Sequence, residues 1–301
     1  MNPRFPGKMD RRDFLAVTTG AMAAVIAHPH DAAADESKPA PSRGSEFIDT
    51  NVTLGRWPFR RLPLDETPAL VAKLRANGVT QAWAGSFDAL LHKDIATANA
   101  RLADECAHRG EGMLIPFGAL NPTLPAWEED LRRCVELHKM RGIRLHPNYH
   151  GYKLGDPIFE RVLQLASERD LAVQIAVVME DERTLSPLVN VPPTDPAALV
   201  SLMGKFPHAR VQLLNAFRTL RGNPVLDLAA AGVRFEIAML EGVAGVGKLL
   251  AEIEPARLLF GSHAPFFYFE SAKLKLHEST LSVAQFAAIT SENAHALLRV
   301  R

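Results

Sequence analysis

The chain runs to 301 residues, 47% of them hydrophobic and 23% charged, which is enough apolar material for one large soluble domain or two ordinary ones. Its 34 lysines and arginines balance 34 aspartates and glutamates, so the basic excess that phosphate neutralisation needs is missing and a nucleic-acid partner is not expected. Two cysteines, Cys106 and Cys134, are too few and too far apart for a disulfide scaffold or a zinc ribbon, and fall in helical segments as small core or surface residues.

The first segment reads as an export leader. Residues 10–15 are D-R-R-D-F-L, an uncharged run follows over 14–27, and Ala32-Ala33-Ala34 is a small-residue cleavage pattern. Arg11 and Arg12 before Phe14-Leu15 resemble a twin-arginine signal, with Asp10 and Ala16 departing from its usual residues. The apolar run is short for a membrane span. The expectation is therefore a signal peptide over 1–34, a polar proline-containing linker over 35–45, a periplasmic location and no membrane partner once the leader is removed.

From residue 46 onward, short runs rich in Val, Ile, Leu and Phe alternate with helix-period segments. Strands are expected at 47–53, 79–85, 113–120, 142–146, 171–178, 210–215, 233–238 and 257–261. Helices are expected between them, at 67–77, 94–109, 126–140, 157–169 and 196–205. Strands separated by helices must run parallel, because a hairpin cannot return the chain in the same direction. Eight such units predict an α/β fold, a single (β/α)8 TIM barrel over 46–301, with chemistry at the C-terminal ends of its strands.

Four anchors carry a family resemblance: F-I-D-T-N-V-T at 47–53, G-I-R-L-H-P at 142–147, F-P-H-A-R-V-Q-L-L-N at 206–215 and R-L-L-F-G-S-H-A-P-F at 257–266. With S-E-N-A-H-A-L-L at 291–298 as a closing helix, they resemble the amidohydrolase superfamily, in its amidohydrolase-related branch of decarboxylases and lactonase-like enzymes. The resemblance implies metal ligands as His-x-His on the first strand, His on the fifth, His on the sixth and Asp on the eighth. Here those places hold Asn51 and Thr53, Ala176, Asn215 and His263. Only His263 is a good zinc ligand, so the expectation is a metal-independent site with no cofactor.

Without a metal, His263 becomes the candidate general base and Arg144 the fixed cation for a developing oxyanion, with Glu241 and Asp181 as further catalytic candidates. Asn51, Thr53, His146 and Asn215 are candidate substrate contacts. The loop 55–61, with Arg56, Arg60 and Arg61 interleaved with Trp57 and Phe59, adds guanidinium groups at the mouth, as do Arg183 and Arg218. Guanidinium pairs bidentately with carboxylate, so a small anionic substrate is expected. Blander roles stay open beside these. Asp49 either acts directly or braces Arg56 or Arg144, Glu236 reads as the partner of a neighbouring arginine, and 266–269 reads as an aromatic wall. The leading expectation is a hydrolase of a lactone, ester or amide of a carboxylate-bearing compound. The alternatives are a non-catalytic ligand-binding barrel and a decarboxylase, and a homo-oligomer is compatible with all three.

Overall fold

The computed structural model describes residues 46–186, 189 and 191–299. The signal peptide and the linker expected at 1–45 lie outside them. Among the described residues no helix is long and apolar enough to cross a membrane.

The strands are β1 (Phe47–Leu54), β2 (Val79–Ser86), β3 in two pieces (Leu114–Pro116 and Gly118–Ala119), β4 (Gly142–Leu145), β5 (Ala172–Ala176), β6 (Arg210–Leu214), β7 (Arg234–Glu236) and β8 (Leu258–Leu259). Every ladder is parallel, from β1 through β2 to the first piece of β3, and from its second piece through β4 to β8. The ring closes where the amides of Thr50 and Thr53 donate to the carbonyls of Phe260 and Ala264 at 3.0 and 2.9 Å. All eight strand positions fall where the apolar runs place them. Strand ends differ from the expected ones by at most two residues.

Helices follow the strands and cover them. The helix Ile95–Arg109 starts at Asp94, whose carboxylate accepts from the Thr97 amide at 3.0 Å. It buries Ile95, Ala98, Asn99, Leu102 and Cys106, the spacing of one helical face. Asn99 docks this face by exchanging hydrogen bonds with Ala119 of β3, at 2.7 and 2.9 Å. The segment expected to be helical to residue 140 ends earlier, at Trp127–Glu136, because Lys139 takes φ 53° and turns the chain toward β4. Both cysteines are buried and free.

The N-terminal end of the ring is sealed by apolar side chains. Ile48, Trp83, Phe117, Ala172 and Leu259 pack there against Ala294, Leu297 and Leu298 of the closing helix Asn293–Leu298. Trp83 and Phe117 stack at 5.0 Å. A Cβ on Gly142 would lie 2.2 Å from the Phe117 ring. Gly142→Ala is therefore expected to destabilise the barrel by about 1–3 kcal/mol through overpacking, read as a lower urea midpoint with an unchanged slope.

Candidate active site

Above the apolar floor, the interior becomes polar, and most of its polar groups are tied to one another. Arg144 on β4 donates from Nε to Gln174 Oε1 at 2.9 Å, and from its two terminal nitrogens to the carbonyls of Val52 at 2.7 Å and Trp83 at 3.0 Å. It also reaches Thr53 Oγ1 at 3.3 Å. Gln174 Nε2 donates to Gln212 Oε1 at 2.9 Å, and Gln212 Nε2 donates to Thr50 Oγ1 at 2.7 Å. This layer ties β1, β2, β4, β5 and β6 together. Burial pushes the Arg144 guanidinium down to about 9, with Asp49 and Glu236 pulling the other way.

One level higher lies a cluster of two carboxyls, two asparagines and an imidazole. The register of β1 shifts between Asp49 and Val52, an irregularity that lets three consecutive residues all bond across the ring. Asp49 accepts from the Ser262 amide at 3.0 Å and the Ser262 hydroxyl at 2.5 Å. Asn51 Nδ2 donates to Asn215 Oδ1 at 2.9 Å and to Glu236 Oε1 at 3.3 Å. Glu236, at the end of β7, also accepts from the Asn215 amide at 2.6 Å and from the Ala238 amide. Burial drives the Glu236 carboxyl up to about 7 and Asp49 up to about 6, against the hydrogen bonds that lower both.

His263 faces this cluster from the loop that follows β8. Its Nε2 donates to the Met179 carbonyl at 2.7 Å, and its Nδ1 lies 3.4 Å from Asn215 Nδ2. Both Asn215 and His263 hold φ 58°, the left-handed region, so the backbone here is bent to aim these side chains inward. Burial lowers the His263 imidazole to about 4, with the Met179 carbonyl opposing. The ring is therefore neutral near pH 7. His146, at the end of β4, is buried with both ring nitrogens unpartnered, and burial holds its imidazole well below the usual histidine range, helped by His150 and Arg144.

An aromatic cover closes the mouth. Trp57 meets Phe59, Phe87 and Phe266 at 5.2–5.4 Å, and Phe266 stacks on the His263 ring at 5.0 Å. Met179 and Ala176 join the same apolar group, so Ala176 faces this cover. Of the aromatics expected to form a wall at 266–269, Phe266 joins this cover, whereas Phe269 packs on Phe47 and Phe260 in the main core and Tyr268 is exposed.

The residues expected to act together divide into three places. His263, Asn51 and Asn215 converge. Arg144 does not join them, because its donors are consumed by the layer below, and Thr53 belongs with it. Glu241 is exposed and paired with Arg218 at 3.1 Å, and Asp181 is held by Arg183, which depresses its carboxyl to about 2. These two carboxylates are rim ion pairs and do not reach the cluster. Arg218 also binds Glu182 at 2.7 Å, Arg56 pairs with Glu66, and Arg60 pairs with Glu180 while lying over Phe266. Glu236 was expected to meet an arginine. It meets amides instead, and that makes it the group with an unusual proton.

The family now follows from comparison. A profile described as amidohydrolase matches residues 53–300. The chain belongs to the amidohydrolase family. This amidohydrolase superposes on 2,6-dihydroxybenzoate decarboxylase from Rhizobium with TM-score 0.63 and 16% identity, covering 85% of this chain and 98% of that one. It superposes on 5-carboxyvanillate decarboxylase from Novosphingobium aromaticivorans, solved with bound manganese, with TM-score 0.66 and 13% identity over 87% and 98% of the two chains. A dihydroxybenzoic acid decarboxylase from Polaromonas, also with manganese, gives TM-score 0.65 and 15% identity over 85% and 97%. No curated protein matches the sequence.

The expectation of a metal-independent site with no cofactor is contradicted by these structural relatives, which were solved with bound manganese. Asp49 and Glu236 spend their oxygens on backbone and side-chain donors, and His263 Nε2 is held by Met179. Among the described residues no three His, Cys, Asp or Glu side chains gather as a ligand set. The side chains present do not fit a manganese ion.

Proposed function

We propose that this amidohydrolase decarboxylates a small, electron-rich aromatic acid, with Glu236 as the proton donor. The observation that carries the reading is a fully buried carboxyl at a strand end, raised to about 7, so that it holds a proton near neutrality and can release it. In the step, the Glu236 proton adds to the ring carbon that bears the carboxylate. The bond to that carboxylate then breaks, its electron pair restores the aromatic ring, CO2 leaves, and Glu236 recovers a proton from solvent. Asn51 and Asn215 hold the Glu236 carboxyl and stand as neutral donors beside it. The aromatic cover supplies ring contacts and a dry surrounding that disfavours a bare carboxylate and favours neutral CO2.

Hydrolysis with His263 as base is the weaker reading. An imidazole near 4, with Nε2 engaged at Met179, is a poor acceptor of a water proton at neutral pH. A purely ligand-binding barrel would have no use for a proton poised near neutrality. From the leader alone we also propose export to the periplasm.

The deciding experiment incubates the protein with a panel of hydroxybenzoates and follows loss of the carboxyl group chromatographically. Release of the matching phenol is the expected result. Turnover of lactones or esters with no phenol formed from any acid would overturn the proposal.

A further inference from the structure

Resting on the reading of the substrate as an aromatic acid, we propose that Arg60 is the carboxylate-recognition residue of the mouth. We further infer that Glu180 occupies its guanidinium as an internal stand-in, which the ligand's own carboxylate displaces.

The arginines around the mouth differ in what holds them. Arg56 and Arg61 pair with Glu66 and Asp65 at the base of their own loop, and Arg183 with Asp181 two residues away. Arg218 is shared among Glu182, Glu241 and Asp181. Arg144 is consumed by the interior layer. Arg60 alone among these reaches across from the β1 loop to the β5 loop. Its side chain remains 36% exposed, whereas that of its partner Glu180 is 0% exposed.

Glu180 is an ill-suited resident. Arg60 satisfies its Oε1, but its Oε2 is buried without a partner. A buried carboxylate oxygen with no donor is costly, so the closed pair stores a reason to exchange. Glu180 also has somewhere to go. It lines a cavity of about 200 Å³ together with Tyr149, Met179 and Arg218, which offers room for its carboxylate to move. The place it would vacate suits an aromatic acid. The Arg60 guanidinium lies 5.3 Å over the Phe266 ring, and Phe266 in turn touches both Trp57 and His263. A benzoate-like ligand could present both carboxylate oxygens to the guanidinium and its ring to these aromatics.

The test is a titration with benzoate, and with neutral benzamide as control, followed by tryptophan fluorescence and calorimetry. It compares wild type with Glu180→Gln and Arg60→Gln, each checked for folding by thermal melting. Removing the stand-in should tighten benzoate binding by about tenfold, because the competing bound state is lost. Removing Arg60 should weaken it by a similar factor, and benzamide should respond to neither change. A merely structural ion pair predicts the opposite sign for Glu180→Gln, with looser binding alongside lower stability. Glu180→Gln that binds benzoate no tighter than wild type overturns the inference, as does benzamide binding as well as benzoate. The readout is binding, so absence of decarboxylation would sink the proton-transfer reading and leave this exchange standing, and the reverse also holds. Should Arg60→Gln fail to fold, the sign of the Glu180→Gln effect decides alone.

Discussion

Replacing Glu236 with glutamine is expected to lower kcat by about 10²–10⁴-fold, the usual contribution of a positioned proton donor, with the barrel still folded. Glutamine keeps the shape and an acceptor for the Asn215 amide, but has no proton to give. The wild-type rate should follow the protonated form of a group near 7, steady on the acid side and falling about tenfold per pH unit above it. Stability carries the same signature with a definite sign. Glu236 binds its proton more tightly when folded than at its ordinary value of 4.5, so its contribution of about 3 kcal/mol is complete below pH 4.5 and is lost as pH rises to 7. Asp49 behaves alike between 3.8 and about 6. His263 runs oppositely, adding stability as pH rises from about 4 to 6.5, so the terms partly cancel in the wild type. Glu236→Gln should therefore show stability that climbs more steeply with pH across 4.5–7 than the parent. Denaturant melts at half-unit pH steps measure this, and parallel curves for the two proteins would mean that folding leaves the proton affinity of Glu236 unchanged.

Arg144→Met is expected to cost on the order of 5 kcal/mol of stability. The change leaves the Val52 and Trp83 carbonyls and Gln174 Oε1 facing an apolar chain in a sealed interior, each losing its donor. The fit around the guanidinium is tight, since a Cβ on Gly85 would lie 2.7 Å from Nη1. A urea midpoint unchanged by the substitution would show that these bonds do not hold the ring together. The same measurement separates two roles for this residue. An oxyanion cation would lose turnover at full stability, whereas a girdle residue loses stability first.

The architecture was legible because parallel strands buried on both faces read as short apolar-rich runs, as in Ala172–Ala176 with Gln174 alone interrupting it, and because helices announce themselves by spacing, as in Ile95–Arg109. The convergence of Asn51, Asn215 and His263 was also legible, since each closes a strand at the same end. The role of Arg144 was not, because its partners include backbone carbonyls from β1 and β2, which no sequence pattern marks. Glu236 was visible as an acid at the inner end of an apolar strand, but its raised proton affinity depends on desolvation by the whole ring. Arg60 was read as a cation at the mouth, without any sign that Glu180 would already occupy it.

The bonds joining the first strand to the last have a temporal consequence. Asp49 and Ser262 are separated by 213 positions, and Asn51 and Glu236 by 185, so the proposed chemistry depends on partners from opposite extremes of the domain. Contacts so remote must overcome the largest loss of chain freedom before they repay it, and they form late. A partly folded or shortened chain can thus possess most of its helices and none of its proton-transfer apparatus. Competence arrives all at once, when the two extremities find each other.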